Sequence, residues 1–138
     1  MKTIIRADAS FFLGSGHVMR CLTLATKLRS NGIIVEFISR NSPGNLISYI
    51  VKKGFIVHSL PILEESIQNK HFSPIQENTE QNSHDDAESV AEILKKLESP
   101  IDWLIVDHYA LDEKWHRRLR PFVRRIMVID DLENRIHD

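Results

Sequence analysis

The sequence has little of what marks several protein classes. One cysteine, Cys21, stands among 138 residues, which excludes a disulfide within the chain and any zinc site built on several thiolates. Charge of one sign is not in excess: 18 lysines and arginines face 19 acids, a formal net charge of -1. A dedicated nucleic-acid binder needs surplus positive charge to neutralise phosphates, so no nucleic-acid partner is expected. Long apolar runs are also missing. Stretches such as Leu104–Val106 and Ile126–Ile129 fall far short of the roughly 20 residues that span a bilayer. Arg6 and Asp8 interrupt the start of the chain before a signal-peptide core forms, so the expected location is the cytoplasm, with no membrane contact. No histidine, cysteine or carboxylate cluster with metal-ligand spacing stands out, and neither a metal nor a cofactor is expected. What is present is ample apolar content, 42% of residues, at about the length of one domain. Residues 1–138 are expected to form a single domain with one packed core.

Hydrophobic patterning divides the chain into alternating elements. Lys2–Asp8 reads as a first strand, followed by a loop holding Gly14, Ser15 and Gly16. Val18, Cys21, Leu22, Ala25 and Leu28 then recur at helical spacing, and Asn31-Gly32 is a stop signal in which glycine supplies the left-handed cap. Ile33–Ile38 reads as a second strand, Ser42–Asn45 as a turn, the residues up to about Lys53 as a helix, and Phe55–His58 as a third strand. From Gln68 to Asp86 apolar residues are too sparse for a core, which predicts a loop with some helix. Helical spacing returns over Asp85–Leu97, Pro100 ends it, and Ile101–Val106 is a buried-strand signal. Leu111–Leu119 reads as a basic helix or turn and Arg125–Asp130 as a fifth strand.

Five near-continuous apolar strands alternating with helices predict a parallel sheet covered on both faces. The expected fold is α/β, a Rossmann-like three-layer domain with a parallel sheet of about five strands; if their order is 3-2-1-4-5, strands 1, 4 and 5 are neighbours flanking one crevice. Charge is uneven along it. Glu64–Glu98 holds nine acids and three lysines, whereas Leu111–Arg125 holds six basic residues and two acids. A solvated helix face or an interdomain contact is the plainer account of the basic stretch.

In open α/β sheets ligands gather outside the carboxyl ends of the strands, where strand order reverses. Asp8, Asp107 and the pair Asp130-Asp131 all fall at such ends, although a lone aspartate there often caps a turn or helix. The most informative segment is Gly14-Ser15-Gly16-His17-Val18-Met19-Arg20. Two glycines permit close backbone approach, and a helix amino end offers N–H groups and a positive dipole to an anion. Met19 and the Ser39-Arg40 pair break the dinucleotide fingerprint, and no Gly-Lys-Ser or Gly-Lys-Thr supplies a phosphate loop. His17 and Arg20, three apart, share a helix face. The dipole disfavours imidazolium, which suits His17 to general-base work; the permanent charge of Arg20 suits it to a phosphate or carboxylate. In Asp107-His108-Tyr109 the tyrosine hydroxyl is placed to bond a sugar and Asp107 to orient a catalytic group, with loop packing as the alternative. His84-Asp85-Asp86 resembles a metal cluster superficially, but its place in a polar loop before a helix makes Asp85 or Asp86 read as a helix cap. His58, His71, His116 and His137 have no partner that spacing identifies.

Arg6-x-Asp8, Gly14-x-Gly16-His17-x-x-Arg20-Cys21-Leu22-x-Leu24-Ala25, Asp107-His108-Tyr109 and Asp130-Asp131 together resemble a known family over nearly the whole chain. It is the amino-terminal half of the UDP-2,4-diacetamido-2,4,6-trideoxy-β-L-altropyranose hydrolases of pseudaminic acid biosynthesis, also described as spore-coat polysaccharide biosynthesis proteins. That resemblance implies a GT-B-like architecture of two Rossmann-like halves, with the uridine nucleotide gripped by a carboxyl-terminal domain that this chain lacks. It implies hydrolysis of a UDP-sugar by water attack at the anomeric carbon with inversion. On it His17 matches the catalytic histidine and Tyr109 an active-site tyrosine. Asp8, Gly14, Gly16, Arg20, Asp107 and Asp130 are assigned to substrate binding or its support. Half a cleft is expected to be inactive alone. The competing expectations are a GT-B-type glycosyltransferase, told apart by a conjugated product, and a non-catalytic nucleotide-sugar-binding domain, told apart by binding without turnover.

Overall fold

Strands β1 (Lys2–Ala7), β2 (Ile34–Arg40), β3 (Ile56–Leu60), β4 (Ile101–Asp107) and β5 (Val123–Val128) are all parallel and lie in the order β3-β2-β1-β4-β5. They belong to a computed structural model that describes residues 1–62, 80–133 and 135–138. The helices described are α1 (Gly16–Ser30), α2 (Ile47–Lys52), α3 (Glu80–Lys96) and α4 (Glu113–Leu119), the last running into a 3-10 turn at Arg120–Phe122. The observed order meets the condition under which strands 1, 4 and 5 flank one crevice, and the fold is the α/β Rossmann-like sheet that the alternation predicts.

The two-residue period of each strand sorts the core into two layers. Ile5, Phe37 and Ile105 face one side and pack against Val18, Cys21, Leu22 and Ala25 of α1 and Ile50 of α2. Ile4, Ile38, Leu104 and Val106 face the other and pack against Val90, Ala91 and Leu94 of α3 and Trp115 and Leu119 of α4. Both faces are therefore buried, the physical reason the strands read as unbroken apolar runs. Helix α1 stops where the sequence says: Gly32 takes φ +80°, its N–H bonds the Arg29 carbonyl at 3.0 Å, and the Ile33 N–H reaches the Leu28 carbonyl at 3.2 Å. Helix α4 starts on Asp112, whose carboxylate accepts from the N–H groups of Lys114 and Trp115, a side-chain cap for otherwise orphaned donors.

Several boundaries differ from expectation, among them the end of β2, which reaches Arg40. Helix α3 begins at Glu80, five residues ahead of the predicted start at Asp85, so Asp85 and Asp86 sit inside the helix rather than capping it. Its first turns are polar, and an apolar period has nothing to register there. Strand β3 is displaced toward Leu60, and β5 spans Val123–Val128, so Asp130 and Asp131 lie past the strand in the loop that follows. Residues 68–79 of the predicted polar loop, His71 among them, fall outside the described residues. The basic stretch 111–125 is a paired surface: Arg118 bonds Glu88 of α3 at 2.5 Å, Arg117 bonds Glu113 at 3.2 Å, and Arg120 bonds Asp138 at 2.5 Å.

One buried group makes stability depend on pH. His116 on α4 is fully enclosed, with its ring centroid 5.5 Å from that of His137. Burial first, then the nearby His137 and Arg135, push its pKa down to about 4 from an ordinary 6.5, against the pull of Asp112 and Asp138. The unfolded chain therefore takes up a proton at higher pH than the folded one. This contribution is fully present above pH 6.5 and is lost as pH falls from 6.5 through about 4. Between pH 7 and pH 5 the loss is about 2 kcal/mol. Urea titrations at the two pH values should recover it in the wild type, and His116→Leu should flatten the difference.

Candidate active site

The reversal of strand order lies between β1 and β4, and the candidate site forms at their carboxyl ends. Asp107 ends β4 one alternation past Ile105, so its side chain faces α1. On that helix His17, Arg20 and Cys21 stand at positions i, i+3 and i+4, one face of its first turns, and all three reach Asp107. His17 Nδ1 lies 2.5 Å from Asp107 Oδ1, Arg20 Nη2 donates to the same oxygen at 2.6 Å, Arg20 Nε donates to Oδ2, and Cys21 Sγ lies 3.5 Å from Oδ2. Asp107 has no exposed surface. Burial alone would raise its pKa, but the hydrogen bonds from Arg20 and His17 outweigh burial and hold the carboxyl below its usual range. An ionised Asp107 accepts only, so in the neutral ring the 2.5 Å contact sets the tautomer with the proton on Nδ1 and the lone pair on Nε2. Burial, with Asp107 beside it, pushes the Cys21 thiol up, so Cys21 is a packed thiol and not a nucleophile at neutral pH.

Tyr109 and Asp131 close the cluster. The Tyr109 ring meets His17 edge-on, with centroids 4.4 Å apart and planes at 77°. Partial burial, Asp131 nearby and the hydroxyl's hydrogen bond to Asp131 keep the phenol above its usual pKa, hence protonated and able to donate. Asp131 also accepts from Arg20 Nη1 at 3.3 Å. Arg20 thus spends its fork on Asp107 and its remaining arm on Asp131, and its first task is to hold the two carboxylates in place.

The other expected site residues are placed differently. Asp8 is buried, at 5% exposure, and accepts both arms of Arg6 at 2.5 and 2.9 Å, the Arg40 N–H at 2.8 Å and His108 Nε2 at 3.0 Å. Burial is opposed by Arg6 and His108, which hold its pKa well below the usual range. It belongs to a buried network beneath the site, completed by Asp86, which accepts from Arg6 at 2.5 Å, Arg40 at 2.6 Å and Trp115 Nε1 at 2.9 Å. Asp130 is turned away from His17. It accepts from His137 at 2.7 Å, Arg135 at 3.3 Å and the N–H groups of Leu132 and Glu133 at 3.1 Å each. Its neighbour Asp131 faces the cluster instead. Gly14 has φ +72°, and its N–H closes a tight turn on the Ser10 carbonyl at 2.8 Å, which requires glycine conformationally. Gly16 opens α1, where Ser15 makes no side-chain cap bond, and a Cβ added at Gly16 would meet nothing within 4 Å. The protein's own packing does not require a glycine there.

Sequence patterning set the pair Asp130-Asp131 near the site but gave the binding role to Asp130, and it missed His108, Arg135 and Asp86 as members of this assembly. The Asp107-His108-Tyr109 motif was the available signal for His108. Of the remaining histidines, His58 bonds Glu36 at 2.7 Å at the opposite side of the sheet. Among the described residues no three histidines, cysteines or carboxylates are grouped to hold a metal ion, and no helix is long and apolar enough to cross a membrane.

No family model matches the sequence, and no curated protein does. Among solved structures the chain is similar to LpCGTa, described as a crystal structure in complex with UDP. The TM-score is 0.58 at 19% identity, over 88% of this chain and 28% of that one. That likeness bears out the fold. The chain spans less than a third of the length of LpCGTa.

Proposed function

We propose that this chain is the base-bearing half of a nucleotide-sugar hydrolase that cleaves a UDP-sugar with inversion, the diacetamido-trideoxy-altropyranose conjugate being the substrate that the motif resemblance favours. The observation that carries the proposal is the Asp107-bound Nδ1 of His17, which leaves Nε2 to accept a proton. The site's position at the strand-order reversal and the fold's likeness to a UDP-complexed protein support the nucleotide-sugar class.

In this proposal His17 Nε2 takes a proton from water as the water oxygen bonds to the anomeric carbon. The bond from that carbon to the diphosphate oxygen breaks with its electrons, and UDP departs as an anion. Inversion follows from attack opposite the leaving group. Diphosphate leaves without a proton, so the protein's task at that side is charge neutralisation, for which the uncapped first turn of α1 at Gly16 is suited. A substrate approaching the open space beside Gly16 also accounts for the missing side chain there. The imidazolium formed is stabilised by Asp107, and the Tyr109 hydroxyl, its own proton directed to Asp131, accepts from a sugar hydroxyl. A second domain of the complete protein would hold the uridine.

The test is product analysis with the protein expressed from its complete natural reading frame. UDP and free sugar in the inverted configuration are expected. A sugar conjugated to an added acceptor would indicate a transferase, and binding without turnover a binding domain. Asp107→Asn keeps the shape but can present either a donor or an acceptor to Nδ1, and should lower kcat by about 100-fold or more; unchanged kcat would separate Asp107 from the chemistry.

A further inference from the structure

Asp8 and Asp130 do not reach His17, yet each is tied to the loop that does. The loop after β4 carries His108, Tyr109, Ala110 and Leu111. His108 folds back so that its Nδ1 accepts the Ala110 N–H at 3.1 Å, which puts the ring proton on Nε2, and Nε2 lies 3.0 Å from Asp8. From the other side Arg135 crosses the same loop. Its Nη2 donates to the His108 carbonyl at 2.8 Å and its Nε to the Leu111 carbonyl at 3.1 Å, while Asp130 accepts from its Nη1 at 3.3 Å. Asp130 itself is fixed by His137 and by two N–H groups of its own turn. The residue between these attachments is Tyr109, whose ring meets that of His17 in a T-shaped contact.

We infer that Asp8 with His108, and Asp130 with Arg135, form a two-sided clamp that positions Tyr109 against His17, making His108 and Arg135 positioning residues of the site. Without it the loop would depend on its own short turn, and the Tyr109 ring would be free to leave the imidazole it now confines. Rotation of the His17 ring about its Asp107 bond is what that contact restricts. The inference rests on His17 being the working group of the site, but not on which bond it helps to break.

The decisive readout is therefore spectroscopic. In the complete natural protein carrying isotopically labelled histidine, the His17 ring protons should show an upfield or downfield displacement from the Tyr109 ring current. Their resonance is identified by its loss in His17→Ala, and the displacement is calibrated by its loss in Tyr109→Leu. Arg135→Ala opens one side of the clamp, and His108→Gln removes the Asp8 side while keeping a polar group of similar reach. Movement of the His17 resonance toward its Tyr109→Leu position in either variant, with the amide spectrum of the sheet retained, supports the clamp. An unmoved His17 resonance in both overturns it. Where the protein turns over substrate, the same variants should lower kcat roughly tenfold with KM nearly unchanged, the signature of misplacement rather than lost binding. Absence of turnover in the wild type would count against the hydrolase while leaving the resonance test intact.

Discussion

His17→Ala should lower the rate of UDP release by the complete protein by about 1000-fold, within the range that a positioned general base contributes. The substitution removes the one group whose acceptor nitrogen is set by Asp107. The fold should survive it, because Asp107 keeps two hydrogen bonds from Arg20 and remains compensated. Steady-state kinetics beside a thermal melt of the same preparation checks both halves of the statement. Turnover within a few-fold of wild type would show that the water is activated elsewhere, and a collapsed melt would show that His17 supports the fold.

The largest effect on stability is expected from Asp86→Ala. Asp86 receives Arg6, Arg40 and the Trp115 indole within the α3 side of the core. Arg6 has no exposed surface at all, and pairing with Asp8 and Asp86 raises its pKa further against the cost of burial. Removing one carboxylate leaves two arginines to share Asp8, of which Arg40 reaches it only through the backbone. Breaking a buried ion pair from one side costs about 3–5 kcal/mol, a large share of the roughly 5–15 kcal/mol that holds a domain folded. The urea midpoint should fall accordingly at unchanged slope, and Asp86→Asn, which retains an acceptor for the indole, should lose less. A loss under about 1 kcal/mol would mean that the network is solvated rather than sealed.

The sheet was legible because burial on both faces writes itself as apolar runs, whereas the strand order entered only as a condition, since alternation says which strands exist and not which lie side by side. The heart of the site was legible for a related reason. The spacing of His17 and Arg20 puts both on one helix face, and Asp107 stands at the end of the strand that lies beside β1. Alternation fails where strands end. Past β5 the Ile129 N–H still joins the ladder at the Val106 carbonyl, but Asp130 then folds into a turn of its own, and nothing in a two-residue period says that Asp131 faces Arg20. Asp86 was hidden differently. Its partners lie 80 and 46 residues away in the chain, and a carboxylate buried by distant arginines looks the same in sequence as one capping a helix. Arg135 was equally illegible, since two of its three described bonds go to backbone carbonyls, which carry no residue identity.

The central claim is that water assisted by His17 attacks carbon, not phosphorus, and hydrolysis of the UDP-sugar in water enriched with heavy oxygen tests it most directly. Mass analysis of the released nucleotide should find UDP free of heavy oxygen, with the label confined to the sugar. Heavy oxygen in the terminal phosphate of UDP would place the attack on phosphorus and contradict the account, whatever the sensitivity of the rate to His17.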